Sequence, residues 1–241
     1  MKVKELHAVV VCVNYADFLA HTLPNNFKYF NSYTVVTDTK DKETKRICEI
    51  YGVKCIQTDA FYENGAKFNK AKGINAGINS LDINPISWVL HLDADIWLHP
   101  LAMNTLRSLY LDPRKLHGCD RIMLESYKDY ADFVTNPDIY KNDWLINLSR
   151  YKIGARITQY WQGEHYQVLG FFQLWNPHFS KIRNYPEESN GADKTDLQFS
   201  KKWDRSQRNL IADFIAVHLE NEISQTGSNW YGRKTKRFQH I

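Results

Sequence analysis

The sequence predicts an α/β protein with a mostly parallel sheet that carries helices on both faces. In the first hundred residues, short β-branched apolar runs alternate with longer amphipathic runs, which is typical of βαβ units. Polar residues follow several of the apolar runs, where a ligand-binding edge is expected. The predicted strands are Leu6–Val13, Tyr33–Thr37, Val53–Gln57 and Ile86–Leu92, and the predicted helices are Asp17–Phe30, Lys42–Tyr51 and Lys67–Ser80.

The second half of the chain is less regular. It contains three further predicted strands and a short helix, at Arg121–Glu125, Gln167–Trp175, Leu210–Leu219 and Thr195–Trp203. A polar and basic tail occupies residues 221–241. Since no linker or internal repeat separates these parts, we expect residues 1–241 to form one domain with a first half (1–105), a second half (106–220) and the tail.

Composition narrows the possible classes of protein. Hydrophobic residues make up 43% of the chain and the net charge is +4, a mildly basic balance that suits a polyanionic partner without requiring one. The cysteines form no C-x-x-C pair, so we expect buried free thiols in a reducing compartment. No apolar run is long enough to span a membrane, and a cytoplasmic protein is expected.

Several catalytic motifs do not occur in the sequence. No G-x-G-x-x-G follows the first predicted strand, and there is no P-loop, H-E-x-x-H or G-x-S-x-G. Dehydrogenases, P-loop NTPases, zinc proteases and α/β-hydrolases are therefore disfavoured.

Two carboxylates, Asp93 and Asp95, lie between the apolar runs Ile86–Leu90 and Ile96–Leu98. Buried carboxylates need a counter-charge, and Mg²⁺ or Mn²⁺ with substrate phosphates is a suitable partner for two such groups. The alternative is a turn in which both aspartates cap backbone N–H groups. Because other strands also end in polar residues, at Asn14-Tyr15 and at Asp38, the ligand-binding interpretation is favoured.

Four segments together resemble a known superfamily. They are VVVCVNYADFLAHTLPNN, FNKAKGINAGI, the acidic LDADIWL and a histidine at the end of a later strand. In combination they are similar to GT-A-fold glycosyltransferases, in particular to short family-2-like members from phages and bacteria. The resemblance covers most of residues 6–105 and resumes in the patches GFFQLWN, TDLQF, VHLE and NWYGR.

The resemblance implies a GT-A (Rossmann-like) fold and a nucleoside-diphosphate sugar as donor, with UDP-sugars favoured. It implies Mn²⁺ or Mg²⁺ as cofactor, a first half that binds the nucleotide sugar and a second half that binds the acceptor. It also implies a role for each candidate residue. Asn14, Tyr15 and Asp38 would line the nucleoside pocket, and Asn69 and Lys72 would contact the base, ribose or phosphates. Asp93 would lie at the ribose or metal, Asp95 and His218 would be metal ligands, and Asp196 would be the catalytic base.

Each of these roles has a structural alternative. Asn14 and Asp38 can be turn caps, Lys72 a solvated helix lysine, and His218 a satisfied strand-end histidine. Asp196 can be a first-turn acid, and the rival bases are Asp193, Glu187 and Glu188. In the tail, Asn229, Trp230, Arg233 and Lys234 are predicted to close over the pyrophosphate, the alternative being a solvated terminus.

The acceptor is the least determined part of the prediction. A hydroxymethylated pyrimidine in phage-type DNA is one hypothesis, which would place the enzyme in the host cytoplasm. A polysaccharide, lipid-linked or protein acceptor is the main competitor. Outside the glycosyltransferases, a nucleotidyltransferase or a catalytically inactive sugar-nucleotide-binding module remains as an alternative. The sequence does not specify the oligomeric state.

Overall fold

A computed structural model describes residues 1–141, 153–154, 166–188, 190–192, 194–220 and 237–238. Within these residues the strands are β1 (Glu5–Val11), β2 (Ser32–Thr37), β3 (Lys54–Gln57), β4 (Ser87–Asp93), β5 (Ile96–Trp97), β6 (Leu116–Leu124), β7 (Ile153–Gly154), β8 (Phe172–Trp175) and β9 (Arg208–Leu219). The α-helices are α1 (Ala16–Asn26), α2 (Lys42–Tyr51), α3 (Lys70–Asn79), α4 (Pro100–Ser108), α5 (Tyr127–Thr135), α6 (Pro177–Ser180) and α7 (Thr195–Ser200). Short 3₁₀ helices lie at Phe27–Tyr29, Ala60–Gly65, Pro137–Tyr140 and Arg205–Gln207.

The described strands form one sheet in the order β3-β2-β1-β4-β8-β6-β9-β5, and β7 pairs with β6. The first half is parallel, as predicted: β1 pairs with both β2 and β4, and β2 pairs with β3. The second half is mixed, because β8 runs antiparallel to β4 and to β6, whereas β6 and β9 are parallel to each other. The α/β fold class is confirmed, and the parallel order is confined to β1–β4 and the β6–β9 pair.

Apolar side chains are buried on both faces of the sheet, which explains the continuous apolar runs. Along β1, Ala8 and Val10 join one core cluster, while Val9 and Val11 join the other. The first cluster packs against α1, α2, α4 and α5, and the second packs against α3 and α7. The sheet is therefore covered on both sides, as the sequence predicted.

Helix α2 has the predicted bounds, and its two ends show why. Asp41 is the N-cap and accepts a hydrogen bond from the Thr44 backbone N–H, and Gly52 ends the helix in the left-handed conformation at φ 63°. Helix α3 lies close to β1, since a Cβ atom at Gly77 would collide with Val9 Cγ1. No helix in the described part of the chain is long and apolar enough to cross a membrane.

Other boundaries differ from the predictions. The predicted helix Asp17–Phe30 is α1, with Pro24 inside it, followed by the separate 3₁₀ turn Phe27–Tyr29. The predicted strand Gln167–Trp175 is extended only at Phe172–Trp175, because Gly170 packs against Asp196 before the strand begins. The predicted strand Leu210–Leu219 begins two residues earlier, at Arg208.

Candidate functional site

The carboxyl end of β4 carries the two aspartates of the acidic motif. Strands β1 and β4 end together, since Val11 is the register partner of Asp93. The Asp93 backbone N–H donates to the Phe171 carbonyl at 3.2 Å, and the Asp95 carbonyl accepts from the Leu219 backbone N–H at 2.9 Å. The turn at residues 93–95, between β4 and β5, is called the acidic turn below. The two backbone hydrogen bonds attach it to the start of β8 and to the end of β9.

Strand β9 brings His218 to the acidic turn from far along the chain. The antiparallel ladder between β5 and β9 pairs Ile96 with His218. As a result, His218 Nε2 lies 3.2 Å from Asp95 Oδ2. The other ring nitrogen, Nδ1, lies 3.2 Å from Glu220 Oε1 and 3.3 Å from Met123 Sδ. The imidazole is thus held between two carboxylates, with Nε2 directed at Asp95.

The second carboxylate oxygen of Asp95, Oδ1, is buried and has no hydrogen-bond partner among the residues that the structure describes. A buried carboxylate oxygen without a donor is costly, so its position suggests that something else binds there. Carboxylate oxygen and imidazole nitrogen are both ligands for Mn²⁺, and an outer carboxylate such as Glu220 commonly orients a metal-binding histidine. The donor set therefore fits a divalent ion.

A complete metal cage of protein ligands is not present in the described residues, which contain no group of three or more His, Cys, Asp or Glu side chains that could hold a metal. Asp95 and His218 would supply two ligands only. Mg²⁺ and Mn²⁺ sites in nucleotide-binding enzymes often take their remaining ligands from water and from substrate phosphates. The geometry fits a metal that binds together with a nucleotide.

Asp93 has a different partner. Its Oδ1 atom accepts a hydrogen bond from Lys70 Nζ at 2.5 Å, and His91 Nε2 lies 3.6 Å from the same oxygen. Burial acts to raise the pKa of Asp93, but the charge and hydrogen bond of Lys70 together with the nearby His91 and His218 outweigh burial, and the pKa is lowered. Burial and the nearby Lys70 charge lower the pKa of His91 to about 4, so this ring is neutral at neutral pH.

Lys70 is the first residue of α3 and links the aspartates of the site electrostatically. Burial acts to lower its pKa, but neighbouring aspartates, Asp93 first among them, hold the pKa above the ordinary lysine value. Asp196 and Asp95 contribute in the same direction. The ammonium group is therefore a fixed positive charge among three carboxylates.

Asp196 lies in the first turn of α7 and belongs to this charge cluster. Its Oδ2 atom accepts from the Gly170 backbone N–H at 2.8 Å, and its Oδ1 atom accepts from the Leu197 backbone N–H at 2.8 Å. Burial raises the pKa of Asp196 above the ordinary aspartate value, and the Gly170 hydrogen bond and the Lys70 charge oppose this only in part. A carboxylate with a raised pKa is a better proton acceptor.

The residues predicted for the nucleoside pocket lie at the ends of β1 and β2. Asn14 is exposed and adopts φ 55°, a left-handed conformation that asparagine tolerates. Tyr15 is 8% exposed and stacks on Phe18 with ring centroids 4.4 Å apart, so its ring is largely part of the core. Asp38 accepts a hydrogen bond from the Lys40 backbone N–H at 2.6 Å, as in the turn-cap alternative.

Sequence reasoning missed Asp41, which holds this pair of strand ends together. Its Oδ2 atom accepts from the Asn14 backbone N–H at 2.8 Å, from Thr37 Oγ1 at 3.0 Å and from Thr44 Oγ1 at 2.8 Å. The available signal was its N-cap position before α2. Asp41 thus fixes the loop that carries Asn14.

Asn69 and Lys72 make protein contacts at the start of α3. Asn69 is the N-cap: its Oδ1 atom accepts from the Lys72 backbone N–H at 3.2 Å, and its Nδ2 atom donates to the Glu187 carbonyl at 2.8 Å. Lys72 Nζ pairs with Glu63 Oε2 at 2.5 Å. The lysine that contacts Asp93 is Lys70, two residues earlier than the one the sequence singled out.

The rival bases and the tail complete the set of predicted residues. Glu187 and Glu188 are exposed, and Glu187 Oε1 accepts from Asn75 Nδ2 at 2.5 Å. Asp193 lies outside the described residues, as do the four tail residues predicted to cover the pyrophosphate, Asn229, Trp230, Arg233 and Lys234. Those tail roles stay predictions.

The end of the chain is described at Arg237 and Phe238, which dock on α1 and α2. Phe238 is 2% exposed, its ring stacks on Phe18 with centroids 4.6 Å apart, and its backbone N–H donates to Asp17 Oδ2 at 2.5 Å. Arg237 pairs with Glu43 at 2.9 Å. These two residues of the tail are therefore attached to α1 and α2, which follow the ends of β1 and β2.

Comparisons with known proteins identify the class of fold. Neither a scan against known protein families nor a search of curated proteins finds a match. Among solved structures, glucosyl-3-phosphoglycerate synthase from Mycobacterium tuberculosis in complex with Mn²⁺, UDP-glucose and glycerol 3-phosphate matches with TM-score 0.52 and 9% identity, over 93% of this chain and 75% of that one.

A second solved structure matches to the same extent. A mycobacterial protein matches with TM-score 0.52 and 9% identity, over 93% of this chain and 70% of that one. At such low identities the likeness shows the fold alone. The chain has the GT-A type of α/β fold, as the resemblance implied.

Proposed function

We propose that the protein is a metal-dependent glycosyltransferase that moves a sugar from a nucleoside-diphosphate sugar, with a UDP-sugar favoured, to an acceptor hydroxyl. The observation that carries the proposal is the pairing of Asp95 with His218, in which a buried oxygen of Asp95 lacks a donor. The fold supports it, because a protein with a similar fold was crystallised with Mn²⁺ and UDP-glucose.

In this proposal Asp95 and His218 hold Mn²⁺ or Mg²⁺, and Asp93 lies next to them. When bound, the ion would neutralise the diphosphate and so make the nucleoside diphosphate a better leaving group. Glu220 keeps His218 Nε2 directed toward Asp95 through its contact with Nδ1. Lys70 balances the charge of Asp93, so that Asp93 stays ionised and can accept a hydrogen bond from a ribose or sugar hydroxyl.

Asp196 is proposed as the catalytic base. It would accept the proton of the acceptor hydroxyl as that oxygen attacks the anomeric carbon. Its burial and raised pKa suit this role, and its hydrogen bonds to the Gly170 and Leu197 backbone N–H groups fix the carboxylate. The exposed Glu187 and Glu188 have no comparable burial, which favours Asp196 among the described candidates.

The donor nucleoside is proposed to bind at the ends of β1 and β2, near Asn14, Tyr15 and Asp38. Asp41 holds this edge in shape, since it ties the Asn14 backbone to Thr37 and Thr44. For Asn69 and Lys72, contacts with ribose or phosphate stay predictions. In this arrangement the nucleoside lies over β1 and β2, and the diphosphate reaches toward the acidic turn after β4.

The acceptor hydroxyl is assigned no chemical identity by the fold. The hypothesis of a hydroxymethylated pyrimidine in DNA depends on the basic tail, most of which lies outside the described residues. Saccharide, lipid-linked and protein acceptors are the competing classes. Incorporation of labelled sugar into hydroxymethylated DNA would support the DNA hypothesis, and transfer confined to other acceptors would reject it.

A nucleotidyltransferase and an inactive binding module are the alternatives outside sugar transfer. A nucleotidyltransferase would release pyrophosphate from a nucleoside triphosphate, whereas the proposed enzyme would release a nucleoside diphosphate. An inactive module would bind a nucleotide sugar with Mn²⁺ but give no turnover. Product analysis therefore separates the three functions.

The direct test is a panel of nucleotide sugars incubated with Mn²⁺ and assayed for released nucleoside diphosphate. The proposal expects at least one UDP-sugar to be turned over, and expects Asp95→Asn to abolish that turnover. Asp82→Asn is the matched control, because Asp82 is an exposed aspartate outside the acidic turn and precedes β4. Near-normal turnover in Asp95→Asn would refute the assignment.

A further inference from the structure

Arg121 on β6 lies on the same face of the sheet as His218 and Glu220. In the parallel β6–β9 ladder, Arg121 pairs with Ala216 and Met123 pairs with His218. Register partners in neighbouring strands point to the same face, and so do residues two apart along a strand. The side chains of Arg121, Met123, His218 and Glu220 therefore share the face that carries the metal-ligand candidates.

The guanidinium of Arg121 packs over the ring of Phe171, with its central carbon 4.7 Å from the ring centroid. Phe171 is 2% exposed, and its carbonyl accepts the hydrogen bond from the Asp93 backbone N–H. Phe171 thus connects Arg121 to the acidic turn. The N–H groups of a guanidinium lie in its own plane, so a guanidinium stacked on an aromatic ring can still bind an anion through them.

Arg121 has no anionic partner at contact distance among the described residues. Its Nε atom is buried and makes no hydrogen bond, and none of the ion pairs in the described part of the chain includes it. Glu220, on the same face, interacts with Arg121 electrostatically, but its Oε1 atom is in contact with His218 Nδ1. A partly buried guanidinium with an unpaired N–H is costly unless a ligand completes it.

The position of Arg121 separates it from the donor side of the site. The sheet order β2-β1-β4-β8-β6-β9 places the proposed nucleoside edge at β1 and β2, and Arg121 on β6, two strands beyond β4. Strand β6 lies next to β9, the strand that carries the metal-ligand candidate His218. A ligand group at Arg121 would therefore lie beside the proposed metal on the side away from the nucleoside edge, where the acceptor enters.

We propose that Arg121, stacked on Phe171, binds an anionic group of the acceptor substrate, a phosphate or a carboxylate. The planar fork of arginine matches the paired oxygens of either group. The proposal rests on the proposed sugar transfer and specifies its acceptor class: a hydroxyl compound that carries a negative charge near the reacting hydroxyl. The same chemistry is found in small phosphorylated hydroxy compounds and in the phosphates of a DNA strand.

The test compares acceptors with and without a negatively charged group, using the full chain with Mn²⁺ and the UDP-sugar that it turns over. The pairs are glycerol with glycerol 3-phosphate, and a hydroxymethylcytosine nucleoside with an oligonucleotide containing it. The wild-type protein is expected to use the charged member of at least one pair with a kcat/KM about tenfold or more above that of the neutral member. The pair that shows the preference identifies the source of the anion.

The variants are Arg121→Met, Arg121→Lys and the control Arg114→Met. Arg114 is an exposed arginine paired with Asp112, so its replacement changes net charge equally without touching the proposed subsite. Arg121→Met should lose the preference through a rise in KM for the charged acceptor, Arg121→Lys should retain part of it, and Arg114→Met should keep it. Binding of glycerol 3-phosphate measured by calorimetry should follow the same order.

Equal use of charged and neutral acceptors by the wild type would overturn the proposal, as would a preserved preference in folded Arg121→Met. Thermal melting of each variant shows whether it is folded. If Arg121→Met is not folded, the comparison is made with Arg121→Lys instead. Binding of UDP with Mn²⁺ to the wild type reports separately on the proposed function. If the wild type did not bind UDP with Mn²⁺, sugar transfer itself would be refuted. An unchanged acceptor preference in Arg121→Met would refute only the role of Arg121.

Discussion

Lys70 and Lys72 offer a matched pair of substitutions that tests how the site is built. Both lysines lie in the first turn of α3, and each makes an ion pair with a distance of 2.5 Å. The partners differ in exposure: the Asp93 side chain is 28% exposed, whereas that of Glu63 is 57% exposed. The two substitutions to Met therefore remove the same charge from the same helix and leave behind carboxylates in different environments.

The exposures set the expected magnitudes. Removing one partner of a buried ion pair costs about 3–5 kcal/mol, so for the partly exposed Asp93 we expect Lys70→Met to lower the free energy of unfolding by roughly 2–3 kcal/mol. Lys72→Met should cost less than about 1 kcal/mol, the usual value for a surface pair. For a domain of this size the melting temperatures of the two variants should then differ by about 2 °C or more.

The pH dependence gives an independent check of the same pair. The pKa of Asp93 is lowered in the folded protein, so its contribution to stability is present above the ordinary aspartate pKa and is lost as the pH falls through the folded value. In Lys70→Met the charge and hydrogen bond of Lys70 no longer oppose burial, so the pKa of Asp93 should rise and the variant should recover relative to the wild type on acidification. Urea unfolding between pH 4 and pH 8 measures this.

The double variant Lys70→Met/Asp93→Asn completes the cycle. Removing both charges should recover part of the stability lost in Lys70→Met, because the uncompensated carboxylate is gone. If Lys70→Met and Lys72→Met had the same melting temperature, or if the double variant were no more stable than Lys70→Met, the description of Lys70 as the buried counter-charge of Asp93 would be wrong.

Three further predictions concern the metal, the base and its support. Glu220→Leu should weaken Mn²⁺ binding by about 10–100-fold, as measured by calorimetry, because His218 loses the carboxylate that orients it; Met123→Leu, which alters the other neighbour of Nδ1, should not. Because burial raises the pKa of Asp196, kcat should fall on acidification at a pH above the ordinary aspartate range, and a flat profile down to pH 4 would count against this base. Gly170→Ala should lower kcat with little change in donor KM, since the new Cβ would lie 2.8 Å from the Cβ of Asp196 and displace that carboxylate; an unchanged kcat would show that the carboxylate position is not critical.

The first half of the fold could be predicted from sequence because its signals are local. Helix α2 has an N-cap at Asp41 and a left-handed stop at Gly52, and both are readable in the chain. Strands β1 and β4 contain continuous buried apolar runs, as parallel strands covered on both faces do. The mixed order of the second half was not predictable, because the direction of a strand depends on distant pairing and not on its own residues.

Some residues of the candidate site could likewise be identified from the sequence, and others could not. The acidic motif and His218 were named from the sequence, and the structure brings Asp95 and His218 to 3.2 Å. Lys70 was missed in favour of Lys72, because the direction of a helical side chain depends on where the helix begins, and only the N-cap at Asn69 fixes that. Glu220 was detectable in principle, since it follows His218 by two residues on one strand face.

The central claim is that Asp95 and His218 bind a divalent ion together with a nucleoside diphosphate. Calorimetric titration of UDP into the protein with and without Mn²⁺ tests it most directly, using the wild type, Asp95→Asn and the control Asp82→Asn. We predict Mn²⁺-dependent UDP binding that Asp95→Asn weakens at least about 100-fold and Asp82→Asn leaves unchanged. Equal affinity in Asp95→Asn and the wild type would contradict it.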